Sequence, residues 1–258
     1  MSRPASWLVP QWTSPAVGAL MTTREGGTSD APYASMDLGA AAGDAAERVA
    51  ANRARFAAAC EATPVFLRQV HGRRVVRVGA ADAGSLAATR EADASVTTEP
   101  GIACTVLVAD CLPVLLAAPG GRAVGAAHAG WRGLTAGVLE AAVAAVCEAA
   151  ACAPGELEAW LGACIGPRRF EVGADVLEAF TGGPLPGDSP AFKLFRPGKW
   201  LADLPGLARA RLRAAGVVRM EGGTWCTVED ASRFFSFRRD GVTGRMAAAI
   251  WIRGGASR

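Results

Sequence analysis

Cys111, His128 and His71 are the residues of this sequence whose types and spacing suggest chemistry. The first two lie in CTVLVADCLPVLLAAPGGRAVGAAHAGWRGL, residues 104–134, where two apolar runs flank Pro119-Gly120-Gly121. Such punctuation between Val- and Leu-rich runs predicts a β-hairpin. With the turn centred on 119–121, Cys111 and His128 stand almost equally far from it. They become facing or diagonal cross-strand neighbours, roughly 4.5–8 Å apart, unless a bulge shifts the register. A thiolate and an imidazole so placed can share one metal ion, because Zn–S and Zn–N bonds are about 2.3 and 2.0 Å long.

Scarcity adds His71 to the set. The chain has 2 histidines, and both sit where an apolar run meets a glycine, in VFLRQVHGRRVVRV and AVGAAHAGWRG. A neighbour without a side chain leaves room for close approach to a strand-end ligand. The alternative is two ordinary half-buried histidines. Taken together, His71, Cys111 and His128 supply three protein ligands, the number that in catalytic zinc sites leaves one position open, whereas a structural zinc usually has a fourth.

Four further residues have both a chemical and a packing reading. Arg24 ends a predicted strand over 17–24 and is a candidate anion or ribose contact, or a surface charge. Asp93, in ADASVTT, is a candidate general base or acceptor for a metal-bound histidine, or a turn cap. Arg132 lies between Gly130 and Gly133, before a predicted helix over 134–151. The N–H groups and dipole at that helix start favour a phosphate or carboxylate beside His128, with Arg132 joining it or stacking on Trp131. Cys164, in LGACIGP, either lines a pocket or fills core space as a small hydrophobe.

The elements that must position these groups are legible as pattern. Asp44 and Glu47 read as a capping box for a helix over 45–61, with Val49 and Phe56 inward and Asn52 and Arg53 toward solvent. Residues 64–78 alternate as two strands around a tight turn at His71-Gly72, and 92–98 closes another strand. In the helix after the hairpin, Leu134, Val138, Leu139, Val143 and Val146 form one apolar stripe. Cys147 and Cys152 belong with its core side. A strand in LEAWL and a short helix over 173–180 precede the Gly/Pro-rich stretch 181–198, a candidate lid or an irregular excursion. Asp203 caps a helix ending at Gly216. WCTV, RFFSFRR and AAAIWIR read as C-terminal strands, with Asp240-Gly241 as a hairpin turn.

Composition narrows the class. At 258 residues, without an internal repeat or low-complexity linker, the chain is expected to form a single domain over 1–258 with a substantial core. No apolar run reaches the roughly 18 residues that cross a bilayer, and the first residues carry no export signal, so a cytoplasmic protein is expected. The 7 cysteines are odd in number and contain no CxxC, which favours reduced thiols over a disulfide framework. A net charge of +3 with dispersed basic residues argues against nucleic acid and is compatible with a small anionic substrate.

Nine pieces in order carry a resemblance across nearly the whole chain: TTREGG (22–27), GDAAERVAANR (43–53), RQVHG (68–72), ADASVT (92–97), ADCLPVLL (109–116), GAAHAGWRGL (125–134), CIGP (164–167), FEVG (170–173) and FFSFRRDGVTGR (234–245). They resemble the bacterial peptidoglycan-editing-factor family, long labelled polyphenol oxidase or laccase-like. The resemblance implies a mixed α+β fold in four layers, helices covering a sandwich of two mixed sheets, and a zinc ion on His71, Cys111 and His128. It implies a purine nucleoside phosphorylase acting on adenosine, inosine and methylthioadenosine, with adenosine deaminase activity. Asp37, in MDLG, and Gln69, in RQVHG, are candidate substrate contacts beside Arg24, Arg132 and Cys164. A second implied activity is amide hydrolysis on UDP-muramyl precursors carrying the wrong amino acid. Two departures stand out: Ala163 replaces a usual Pro, and Asp37 replaces a usual Asn, which changes the hydrogen bonding offered to a substrate. The copper reading ranks third. Two histidines are too few for a four-copper oxidase, and a lone His2Cys set of the blue-copper kind transfers one electron at a time.

Overall fold

In the computed structural model of the chain, residues 3–83, 90–182 and 190–254 are described. Strand β1 (Val17–Met21) is followed by helix α1 (Ala46–Cys60) and short strands β2 (Thr63–Val65), β3 (Leu67–Arg68), β4 (Val75–Arg77), β5 (Arg90–Glu91) and β6 (Ala94–Thr97). The centre of the chain is β7 (Ile102–Val108), β8 (Leu112–Ala117), β9 (Val124–Ala129), α2 (Trp131–Ala136) and α3 (Val138–Ala150). Then come β10 (Glu158–Leu161), β11 (Glu171–Val172), α4 (Ala174–Thr181), β12 (Phe192–Arg196), β13 (Lys199–Ala202), α5 (Leu204–Ala214), β14 (Arg219–Gly222), α6 (Phe237–Asp240) and β15 (Met246–Ile252).

Two sheets dominate, a four-stranded one in the order β1-β15-β7-β2 and a six-stranded one in the order β14-β10-β8-β9-β6-β4. Both mix parallel and antiparallel pairs. Their facing sides share one core: Cys104, Val106 and Val108 of β7 and Ile250 of β15 meet Leu115 of β8 and Ala126 of β9. The alternate residues point outward. Ala103, Ala247 and Ala249 pack beneath Phe56 and Cys60 of α1, while Leu112, Val114 and Leu116 pack with Val138, Val143 and Val146 of α3 and with α5. Strands buried on both faces read as continuous apolar runs. Layers of helix, sheet, sheet and helix result, as the resemblance implied. At Gly125 a β-carbon would stand 2.8 Å from Val146 Cγ2, so the missing side chain lets α3 approach β9. Among the described residues, no helix is long and apolar enough to cross a membrane.

Several local expectations are corrected. Asp44 binds the N–H of Ala45 at 2.8 Å, one residue too early to cap α1, so the capping box does not form. Asn52 and Arg53 are buried rather than solvent-facing. The Asn52 amide donates to Ser29 Oγ and to the carbonyls of Ser35 and Asp37, and it accepts from the N–H and hydroxyl of Thr28. Arg53 donates to the carbonyl of Leu38 and covers the Phe66 ring. These two side chains satisfy the irregular backbone of 28–38, which makes no ladder of its own. The helix over 134–151 is broken at Gly137, whose φ of +92° ends α2 and starts α3. The strands flanking His71 do not pair with each other, since β3 pairs β5 and β4 pairs β6. Of the stretch 181–198, residues 183–189 lie outside those described, while 192–196 form β12 of a small sheet ordered β11-β13-β12. WCTV holds a single bridge, Cys226 to Cys164, and RFFSFRR leads into α6 rather than a strand. Cys147 and Cys152 are half-buried at the margin of the core.

Candidate metal centre

The β8–β9 ladder pairs Leu112 with Ala129 and Pro113 with His128. Cys111 therefore stands one step beyond the ladder, diagonal to His128, and both project from the side of the sheet that faces the four-stranded sheet. His71 reaches them from the turn before β4, where its φ is +62°. The Cys111 Sγ and His71 Nε2 atoms are 3.9 Å apart, and the nearest donor atoms of all three residues lie within 4.8 Å of one another. The two imidazole centroids are 4.8 Å apart at 73°. A β-carbon on Gly130 would meet Cys111 Sγ at 2.8 Å and His71 Cδ2 at 3.2 Å, so this glycine makes room for the cluster.

Asp93 organises the cluster from behind. It is fully buried immediately before β6. Its Oδ1 lies 2.8 Å from His128 Nδ1, and its two oxygens accept the N–H groups of Val70, His71 and Gly72 at 3.1, 2.9 and 2.7 Å. Burial alone would raise its pKa; the His128 and backbone hydrogen bonds outweigh that and hold the carboxyl below its ordinary value. With Nδ1 engaged, His128 offers Nε2 to the cluster.

Charge within the cluster is arranged for binding a cation. Burial alone would raise the Cys111 thiol, but the charge and hydrogen bonds of His128 and then His71 bring it down to about 6. Burial would lower His128; the Cys111 thiolate and Asp93 instead bring it up to about 9. A bound divalent ion would replace the proton of that pair as the thiolate's counter-charge. The donor set fits such an ion: bonds of about 2.0–2.3 Å in a tetrahedron put ligand atoms roughly 3.3–3.8 Å apart, close to the spacing found.

A cavity of about 260 Å³ opens over His71 and Cys111. Trp131, Phe170 and Phe237 give it aromatic walls, and Arg132 and Arg238 reach its rim. Arg132 lies over the Trp131 ring at 4.4 Å, the stacking alternative of the sequence, while also lining the cavity, and Arg238 lies over Phe170 at 5.6 Å.

The other candidate contacts are placed elsewhere. Arg24 is held by the carbonyls of Ala34 and Ala231 and lies over Phe235. Gln69 pairs its amide with both backbone groups of Leu107. Asp37 accepts the N–H groups of Gly39 and Arg245, its second oxygen is buried without a hydrogen-bond partner among the described residues, and burial raises its pKa. Cys164 is fully buried, with its thiol pushed well up by burial. None of these four lines the cavity.

Asp110, Phe170, Phe237 and Arg238 were missed as cavity residues. The available signal was Ser236, whose hydroxyl caps α6 by accepting the Arg239 N–H at 3.2 Å, with Gly241 at its far end.

The family model described as multi-copper polyphenol oxidoreductase laccase matches residues 18–253. The chain belongs to that family. Among proteins similar to this laccase-family chain is one from Pseudomonas aeruginosa named purine nucleoside phosphorylase, 46% identical over 249 residues that span 96% of this chain and 98% of the relative. The purine nucleoside phosphorylase YfiH of Escherichia coli is also 46% identical, over 95% of this chain and 98% of its own. A crystal structure of a Neisseria meningitidis protein superposes with a TM-score of 0.88 at 45% identity, covering 96% of this chain and all of that one. YlmD from Geobacillus stearothermophilus gives 0.86 at 33% identity, covering 93% of each.

Proposed function

We propose that this chain is a zinc-dependent purine nucleoside phosphorylase acting on adenosine, inosine and methylthioadenosine, with a secondary adenosine deaminase activity. The observation that carries this reading is near-full-length identity of 46% to relatives of that name, combined with a His2Cys donor cluster opening into an aromatic cavity. Zinc is favoured over copper because three N and S ligands match a catalytic zinc site, while two histidines cannot build a multi-copper centre. When bound, the ion would supply Lewis-acid chemistry.

The chain's own residues do the rest. His71, Cys111 and His128 hold the ion, and Asp93 orients His128 and the His71 turn instead of serving as a general base, because its oxygens already accept four hydrogen bonds. Trp131 and Phe237 stack a purine. Arg132 and Arg238 hold phosphate at the rim, keeping the anion against the sugar carbon that loses the base. The partners are thus small molecules, and the reading places the protein in the cytoplasm. Purified zinc-loaded protein incubated with adenosine is expected to release adenine and ribose 1-phosphate only when phosphate is present, and inosine without it. Absence of both products would overturn the assignment, and release of serine or glycine from a muramyl precursor would favour amide hydrolysis.

A further inference from the structure

We propose that Asp110 is a positioning residue that keeps the metal ligand Cys111 and the α6 wall of the cavity in fixed register. The inference rests on the metal-centre reading above. Asp110 sits between β7 and β8, immediately before Cys111, with a φ of +92°. Left-handed backbone is costly for a residue with a side chain, and Asp and Asn tolerate it better than most. Such conformations persist where the surroundings over-determine them.

The surroundings here are explicit. Asp110 is buried. Its Oδ1 accepts the Thr227 hydroxyl at 2.5 Å, its Oδ2 accepts the Arg238 N–H at 2.6 Å, and its carbonyl accepts the Ile165 N–H at 2.9 Å. Those partners belong to three separate segments, two of which line the cavity through Ile165, Phe237 and Arg238. One carboxylate therefore joins the residue beside the sulfur ligand to the wall on which the substrate would lie. The Arg238 N–H also belongs to the first turn of α6, where a backbone donor lacks a partner within the helix. Backbone shape alone does not account for the choice of residue, because glycine adopts this φ without strain. What glycine lacks is the two-point carboxylate.

Replacing Asp110 by Gly separates the two explanations. With cobalt(II) substituted for the native ion, the wild type is expected to show a thiolate-to-cobalt absorption band. Asp110→Gly is expected to fold, to bind cobalt about 10–100-fold more weakly, and to shift that band, as mutation of groups supporting metal ligands does. Its KM for nucleoside rises along with the weakened metal affinity. Asp110→Asn keeps its carbonyl oxygen on the Arg238 N–H and turns its NH2 toward the Thr227 hydroxyl, which can accept, and falls between. Thr227→Val removes a single donor and shifts the band in the same direction. Wild-type cobalt affinity and band in folded Asp110→Gly would overturn the proposal; if that variant does not fold, an unchanged band in Thr227→Val does so. A wild type without the band would overturn the metal centre and this role together. Failure of phosphorolysis with the cobalt results intact would overturn only the substrate assignment.

Discussion

His128 and Asp93 share a 2.8 Å contact between Nδ1 and Oδ1 in which the carboxylate simultaneously fastens the turn that carries His71. One buried side chain thus sets two of the three candidate metal ligands. Asp93→Ala is expected to lower stability by about 3–5 kcal/mol, because it strands buried donors and breaks a buried pair. Asp93→Asn, milder in shape, is expected to cost about 10–100-fold in zinc affinity. Competition with a chromophoric chelator measures the second and chemical denaturation the first.

The thiol of Cys111 is brought down to about 6 by His128 and His71 against the opposing effect of burial. In metal-free protein, its alkylation by iodoacetamide should rise with pH through about 6 and level off well below pH 9, where an ordinary thiol is still only partly ionised. Replacing His128 by Ala removes the main favourable cause, so the midpoint should move upward. Added zinc should suppress alkylation at every pH. A midpoint that stays near 9 in metal-free wild type contradicts the ion pair.

Gly130→Ala tests the space left for the cluster. The added methyl would lie 2.8 Å from Cys111 Sγ, and a side chain as short as Cys can move away only by leaving the metal. Folded protein with a markedly reduced zinc content is expected, measured by elemental analysis beside circular dichroism. Full zinc content would show that the cluster tolerates the methyl.

Arg132 and Arg238 are assigned to the phosphate. Replacing either by Ala removes a charge-assisted hydrogen bond to the anion and should raise the KM for phosphate about tenfold or more. Deamination of adenosine, which needs no phosphate, should change far less. Equal impairment of both reactions would place these side chains on the nucleoside instead.

Asn52 tests how the 28–38 segment is held. Asn52→Leu is expected to cost about 2–4 kcal/mol by leaving backbone groups of that segment without partners, read as a lowered denaturation midpoint with the metal content unchanged.

Local pattern foretold what is local. The hairpin, its diagonal Cys111–His128 relation and the apolar stripe of α3 follow from periodicity and turn residues that lie within a few positions of each other. Asn52 and Arg53 looked like solvent residues because polarity on a helix face normally means water. Their partners are instead mostly backbone groups of a loop that precedes the helix, 15 residues from Arg53 at Leu38 and 24 from Asn52 at Thr28. Asp110 was harder still, as its partners Thr227 and Arg238 are 117 and 128 residues away. In α6, the aromatic run suggested a strand, and the Ser236 cap prevailed.

The three candidate metal-binding side chains are not anchored alike. His128 is buried on β9 and Cys111 is half-buried at the residue leading into the neighbouring β8, whereas His71 is exposed on a turn. An ion held by this set would therefore exchange most readily through the outer imidazole: a chelator would displace one surface ligand and leave the other two donors standing as a half-formed seat.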